Sequence, residues 1–353
     1  MKSFVYNALP SRVVFGVGSL DHLEREIDLL GAKRALVLSG PRQHRQVELI
    51  ASRLGVRCVG VFDRALMHVP IETAQEARAL ARAANADCAI AIGGGSTIGL
   101  AKAIALELSA LSILAIPTTY AGSEMTPIYG LTEAGLKKTG RDARVLPKTV
   151  IYDPLLTVGL PVAISVTSAI NAIAHAAEGL YAEDANPVMS LFAEEGIRAS
   201  ARALPRIVAE PTDLNARTDC FYGAWLCGAV LGSVGMALHH KLCHTLGGSF
   251  NLPHAETHTV VLPHALAYNR DAAPQAMARI AAALCAQNAA QGVYDLARSL
   301  GAPTSLAAIG MPEAGLERAV ELACTHTYFN PRPVERGAIR RLLQDAWEGR
   351  RPA

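Results

Sequence analysis

Over the first 155 or so positions, short apolar runs alternate with segments whose apolar residues recur every three or four positions. The runs SRVVFG, ALVLSG (35–40), CVGVF (58–62), CAIAIGG (88–94), ILAIP (113–117) and TVIYD (149–153) are short and nearly unbroken, as strands buried on both faces are. Between them, SLDHLEREIDLLG (19–31), QHRQVELIASRLG (43–55) and IETAQEARALARAANA (71–86) each carry an apolar stripe, as helices covering a sheet do. This alternation predicts a doubly wound α/β half with a mostly parallel sheet. From residue 160 onward Ala and Leu dominate, and helical periods run through 163–183, 188–203, 214–245 and 273–300; the second half is expected to be all-helical. YDPLLTVGLP (152–161), with two prolines and a glycine, suits the join. The expected domains are 1–157 and 158–353, with the active site in the cleft between them.

Charge narrows the partners. In 353 residues, 33 Lys and Arg stand against 31 acidic residues, a net charge of +2 without a long basic run, so there is no electrostatic footprint for nucleic acid or an anionic membrane. The start, MKSFVYNALPSRVVFG, has no apolar signal segment, and no uncharged apolar stretch is long enough to span a bilayer. Seven cysteines with no CxxC read as buried thiols in a reducing compartment. A cytoplasmic protein acting on a small molecule is expected.

Two loops carry phosphate-binding character. Gly93, Gly94 and Gly95 follow an apolar strand directly, and Ser96 and Thr97 open a helix. Glycines let the backbone approach an anion, and a helix start presents unpaired N–H groups to it. The spacing is not GxGxxG, and the loop follows a later strand than the first. After the next strand, PTTYAGSEMT (117–126) gathers the hydroxyls of Thr118, Thr119 and Ser123 where open sheets bind ligands. Two small-polar loops at one sheet edge point to a dinucleotide.

The helical half carries a set of imidazoles. Asn171 and His175 lie four apart, as do His240 and His244, and His254 follows beyond the loop GGSFNLP. A four-residue spacing puts each pair on one helix face, so these five groups are expected to converge. With aspartate at 171 the set would suit a divalent cation. Asparagine brings no charge to offset the ion, and the electrostatic task passes to a protonated imidazole.

At these residues the chain resembles the iron-containing (group III) alcohol dehydrogenase family along nearly its whole length, through GGGSTIGLAKAIAL, the stretch from PTTYAGSEMT to KTVIYDP, SVTSAINAIAHAAEGLYA, and MALHHKLCHTLGGSFNLPHAETHTVVLPHALAYN. The resemblance implies that metal ligands of other members fall at Asn171, His175, His240 and His254, and that His244 lies near the nicotinamide. With Asn171 replacing a ligand, it implies a reductase without a catalytic metal, saturating the carbon–carbon bond of a conjugated enone with a carboxylate at each end. In NAD-preferring relatives an aspartate holds the adenosine ribose; here Ser39 and Gly40 stand there with Arg42 close by, so both NADH and NADPH are expected to serve. The threonine-rich loop is one residue shorter than is usual in the family. His244 and His254 are the expected oxyanion donor and proton source, positioned by His175 and His240. Asn171, Tyr120, Lys241 and Arg332, with Lys137, Lys138, Arg141 and Arg144, are candidates for the substrate. A homodimer is implied. The rival reading, a metal-dependent alcohol or polyol dehydrogenase, predicts stoichiometric metal and loss of activity to chelators.

Overall fold

The computed structural model describes residues 4–9, 11–133, 136–325 and 328–353. It divides into two compact units, one of Ala8–Leu160, the other of Pro161–Ala353 together with the N-terminal stretch up to Asn7. This boundary lies three residues beyond the expected one after residue 157, and the N-terminal stretch, expected with the α/β half, groups with the helical one.

In the α/β unit, strands β1 (Arg12–Phe15), β2 (Ala35–Leu38), β3 (Cys58–Phe62), β4 (Cys88–Gly93), β5 (Ser112–Pro117) and β8 (Thr149–Tyr152) form one sheet in the order β1-β8-β5-β4-β2-β3. Every pairing in it is parallel. Helices α1 (Leu23–Leu29), α2 (His44–Leu54), α3 (Ile71–Ala83) and α4 (Gly95–Glu107) fall between the strands. Leu23, Ile27, Val47, Ile50 and Leu54 from the first two pack on Val37, Ile90, Ile92, Leu114, Ile116 and Ile151 of the sheet, which is why these strands read as continuous apolar runs. The chain leaves β2 toward β3 on one side and β4 toward β5 on the other. The carboxyl ends of β2 and β4 therefore flank the sheet's switch point.

The segment after β5 departs from the expected pattern. Strands β6 (Ile128–Glu133) and β7 (Leu136–Arg141) form an antiparallel hairpin with Ile128 opposite Arg141 and Glu133 opposite Leu136. Neither IYGLTE nor LKKTGR alternates cleanly between apolar and polar, so the period-two signal is missing.

The second unit is helical among its described residues: α5 (Val162–Gly179), α6 (Pro187–Ala209), α7 (Leu214–Ser233), α8 (Leu238–Phe250), α9 (His254–Asn269), α10 (Pro274–Ala283), α11 (Ala289–Ser299), α12 (Leu316–Cys324) and α13 (Arg336–Glu348). From Ser165 to Gly179 every residue of α5 is buried, which makes it the unit's central helix. Two expected helices are each broken in two. The period over 214–245 is interrupted at residues 234–237, with a 95° bend between α7 and α8. That over 273–300 breaks where Cys285 takes a φ of 55° and Asn288 caps α11. An Ala- and Leu-rich stretch keeps its apolar period across such corners, so periodicity alone does not reveal them. Among the described residues no single helix is long and apolar enough to cross a membrane.

Candidate functional site

Three loops meet at the carboxyl ends of β2, β4 and β5. Thr118 N–H donates to the Gly93 carbonyl at 3.0 Å, joining the threonine loop to the glycine loop. Gln43 amide N–H donates to Thr118 Oγ1 at 3.1 Å, while its Oε1 accepts from Gly40 N–H at 3.0 Å, so one side chain ties all three together. Gly93 has a φ of 154°, and a Cβ there would lie 2.4 Å from Thr97 Oγ1; only glycine fits this turn. A Cβ on Gly94 would press on Thr119 at 3.1 Å. Helix α4 begins at Gly95 with no side-chain cap, leaving its first turn to whatever anion approaches. Ser96, Thr119 and Ser123 are half-buried around it; Thr97 and Thr118 are buried. Ser39 is fully buried, its hydroxyl without a hydrogen-bond partner. Tyr120 is 0% exposed, so it is a core residue of the α/β unit rather than a group presented to substrate.

The helical unit gathers imidazoles from three helices: His175 on α5, His239, His240 and His244 on α8, His254 and His258 on α9. His175 Nδ1 and His240 Nε2 share a hydrogen bond of 2.8 Å, and His240 Nδ1 meets Glu178 Oε2 at 2.6 Å. The Glu178 carboxylate also accepts from the backbone N–H groups of Ala237 (3.0 Å), His239 (2.8 Å) and His240 (3.2 Å). It therefore caps the start of α8 from a different helix, at the end where the helix dipole favours an anion. Burial pushes this carboxyl up, but the His240 hydrogen bond and charge and the backbone donors outweigh it and hold it below the usual glutamate range. Glu178 is thus ionised and accepts only, so His240 carries a proton on Nδ1. While His240 is neutral, its Nε2 must accept, His175 Nδ1 donates to it, and the chain has one direction.

A second pair lies beside the first. His239 Nε2 and His258 Nδ1 are 2.9 Å apart, and Cys243 Sγ is 3.7 Å from His239 Nε2. The two rings are fully buried, and burial, then the charges of neighbouring imidazoles, holds both well below the ordinary histidine range; they are neutral at pH 7. The His258 ring centroid lies 4.4 Å from that of His254 and 5.1 Å from that of His240. His244 is exposed and His254 half-exposed, whereas His175 and His240 are buried.

Of the five groups expected to converge, the structure joins His175 to His240 by a hydrogen bond, sets the His244 ring 6.2 Å from that of His240, and links His254 to them through His258. Asn171 stands one turn before His175, buried, with Oδ1 lacking a hydrogen-bond partner. Glu178, His239, Cys243 and His258 were absent from the expected set. MALHHKLCH and PHAETH contained the signal, since His258 lies four residues after His254 and Cys243 four after His239, the same spacing that pairs His240 with His244.

The proposed substrate cations scatter. Arg332 stacks on Tyr268 with its guanidinium 4.3 Å from the ring, and Lys241 Nζ lies 5.8 Å from the Tyr328 ring. Arg144 is paired with Asp142, and Lys138 with Glu133 at 2.7 Å. Arg141 belongs to β7, and the Lys137 side chain lies outside the described residues; Arg42, expected on the adenosine side of the cofactor, is exposed.

These side chains fit a catalytic iron poorly. Position 171 supplies an uncharged amide, and two of the three matching imidazoles direct ring nitrogens at each other over 2.8 Å, closer than two nitrogens bound tetrahedrally to one ion, about 3.3 Å apart at bond lengths of about 2.0 Å.

Comparison with known proteins agrees in sequence and in fold. Residues 10–154 match the family model for iron-containing alcohol dehydrogenase, and residues 165–347 match that for the C-terminal part of the Fe-containing alcohol dehydrogenase family. Maleylacetate reductase of Burkholderia cepacia is 64% identical over 353 residues, covering all of both chains; that of Delftia acidovorans is 58% identical over 350 residues, 99% of each. The crystal structure of maleylacetate reductase from Agrobacterium tumefaciens superposes with a TM-score of 0.95 at 55% identity, covering both chains completely. The chain is an oxidoreductase that belongs to the iron-containing alcohol dehydrogenase family.

Proposed function

We propose that the protein is a maleylacetate reductase that uses NADH or NADPH and no catalytic metal, yielding 3-oxoadipate in the breakdown of aromatic compounds. The observation that supports the metal-free part is the Glu178–His240–His175 chain beside Asn171, in which the His240 Nε2 lone pair is taken by His175 Nδ1–H and position 171 brings no carboxylate to offset a cation. The full-length likeness to maleylacetate reductases supports the substrate.

A bound reduced nicotinamide supplies the hydride. Gly93, Gly94, Gly95, Ser96, Thr97, Thr118, Thr119 and Ser123 would hold the dinucleotide, the uncapped start of α4 offering N–H groups to its phosphates, and Ser39 and Gly40 would meet its adenosine part. Hydride adds to the alkene carbon β to the ketone, charge moves to the ketone oxygen, and a proton completes the α carbon. Exposed His244 and half-exposed His254 donate to that oxygen and deliver the proton. His175 and His240, locked by Glu178, keep the donors oriented. Asn171 contributes its amide to the substrate, and Lys241, Arg332 or the hairpin cations meet its carboxylates. The α/β unit supplies the loops for the dinucleotide and the helical unit the imidazoles. The working form is a cytoplasmic homodimer.

The test follows NADH and NADPH oxidation at 340 nm with freshly generated maleylacetate, using protein stripped with EDTA and assayed for residual metal. Full turnover is expected; activity that returns only on adding Fe²⁺ or Zn²⁺ would sink the metal-free reading.

A further inference from the structure

Lys102 lies two turns into α4, the helix that the glycine loop opens, and its side chain is 0% exposed. Its Nζ donates to the carbonyls of Ser123 (2.6 Å), Thr126 (2.8 Å) and Ile128 (2.8 Å) and to Thr126 Oγ1 (2.9 Å). Four acceptors crowd the three N–H bonds of an ammonium, at lengths typical of charge-assisted bonds. An uncharged amine has only two N–H groups and would turn its lone pair on one of these oxygens. Burial draws Lys102 down to about 7, opposed by the charge of Glu124. Glu124 is itself fully buried and accepts from Tyr152 O–H at 2.8 Å.

Such a buried cation is expensive in a unit with abundant apolar residues, so what it holds matters. Between Pro117, the end of β5, and Ile128, the start of β6, the only regular structure is one short 3₁₀ turn, Ser123–Met125. The first half of this segment is fixed on the glycine loop by the Thr118 bond to Gly93 and by Gln43. Its second half is fixed by Lys102, which binds four acceptors on three residues, Ser123, Thr126 and Ile128.

We infer that Lys102 is a positioning residue for the dinucleotide: it clamps the threonine loop to the glycine-loop helix and so sets the spacing of the two loops that hold the cofactor. This rests on the dinucleotide reading of the α/β unit. Lys102 touches no reacting atom, so its effect falls on cofactor affinity rather than on the chemical step.

The experiment titrates NADH by its fluorescence, without substrate, into the full-length wild type, Lys102→Met and Thr126→Val, and measures kcat and KM for NADH in each. For Lys102→Met the Kd for NADH is expected to rise at least ~10-fold while kcat at saturating NADH changes less than ~3-fold. Thr126→Val, which removes one acceptor, should weaken NADH by ~2- to 5-fold. Should Lys102→Met not fold, Lys102→Met with Glu124→Gln removes both buried charges and takes its place. Folded variants that bind NADH like the wild type, even with a lowered Tm, would overturn the inference and leave Lys102 a structural residue only. A wild type that does not bind NADH would overturn the dinucleotide reading itself.

Discussion

The loop end of the α/β unit, where we propose that the dinucleotide binds, and the imidazole cluster of the helical unit solve opposite problems. The first is made of backbone, glycines and small hydroxyls at strand ends, where each loop is a continuous piece of chain. The second is made of large polar side chains from three helices, organised by one carboxylate that lies 62 residues before the histidine it orients. A site made of backbone needs space and tolerates little added bulk. A site made of imidazoles needs partners, and its failures spread through hydrogen bonds.

That contrast can be broken at its strongest point first. His244→Ala removes the exposed imidazole that we propose as a donor to the substrate, so kcat is expected to fall ~10²- to 10⁴-fold with the NADH Kd within ~3-fold. An unchanged kcat would take His244 out of the chemistry. Glu178→Ala leaves three backbone donors and an imidazole without their buried acceptor, a loss of about 3–5 kcal/mol. Thermal unfolding should then drop by roughly 6–15 °C; a smaller shift would mean that the carboxylate does not anchor α8.

At the other site, Gly93→Ala must either strain a backbone with φ of 154° or push Thr97 aside, at about 1–3 kcal/mol. NADH affinity is expected to fall by ~5- to 100-fold while maleylacetate KM stays near wild type, measured at saturating cofactor. The smallest effect is with pH. The unfolded chain protonates His239 and His258 near the ordinary value of 6.5, whereas the folded chain refuses those protons until well below it. Stability is therefore complete above that value and declines as pH falls below it, by up to ~1.4 kcal/mol per pH unit for each ring. Glu178 adds to the loss only at lower pH, through its own depressed range. Tm recorded from pH 7.5 to 5.5 should slope less in His258→Asn than in the wild type; equal slopes would mean that His258 does not resist protonation.

The same contrast explains what could be read in advance. The six strands of the parallel sheet, the glycine loop and Thr118 were legible because their signals are local: an apolar run, a turn of glycines, a hydroxyl after a strand. Gln43, which links three loops, sits in an ordinary helix start and shows nothing in its own neighbourhood. His175 and His240 were legible by helical spacing, but Glu178 was not, since a helix cap is sought just before the helix and this one comes from α5. The corner at 234–237 has the same origin: Ala237, His239 and His240 turn their N–H groups to Glu178, and the Gly235 N–H donates to Asp184 at 2.7 Å. The β6–β7 hairpin escaped because its strands alternate poorly.

The capping of α8 by Glu178 also bears on engineering. A designer who transplants HHKLCH into another scaffold carries over the imidazoles but not the anion that starts their helix and selects the tautomer of His240. The smallest portable part takes in both α5, with the carboxylate, and the start of α8 that it caps. Libraries that vary one helix while freezing the other would sample mostly inactive proteins, and selection for new substrates should begin at the exposed end, around His244.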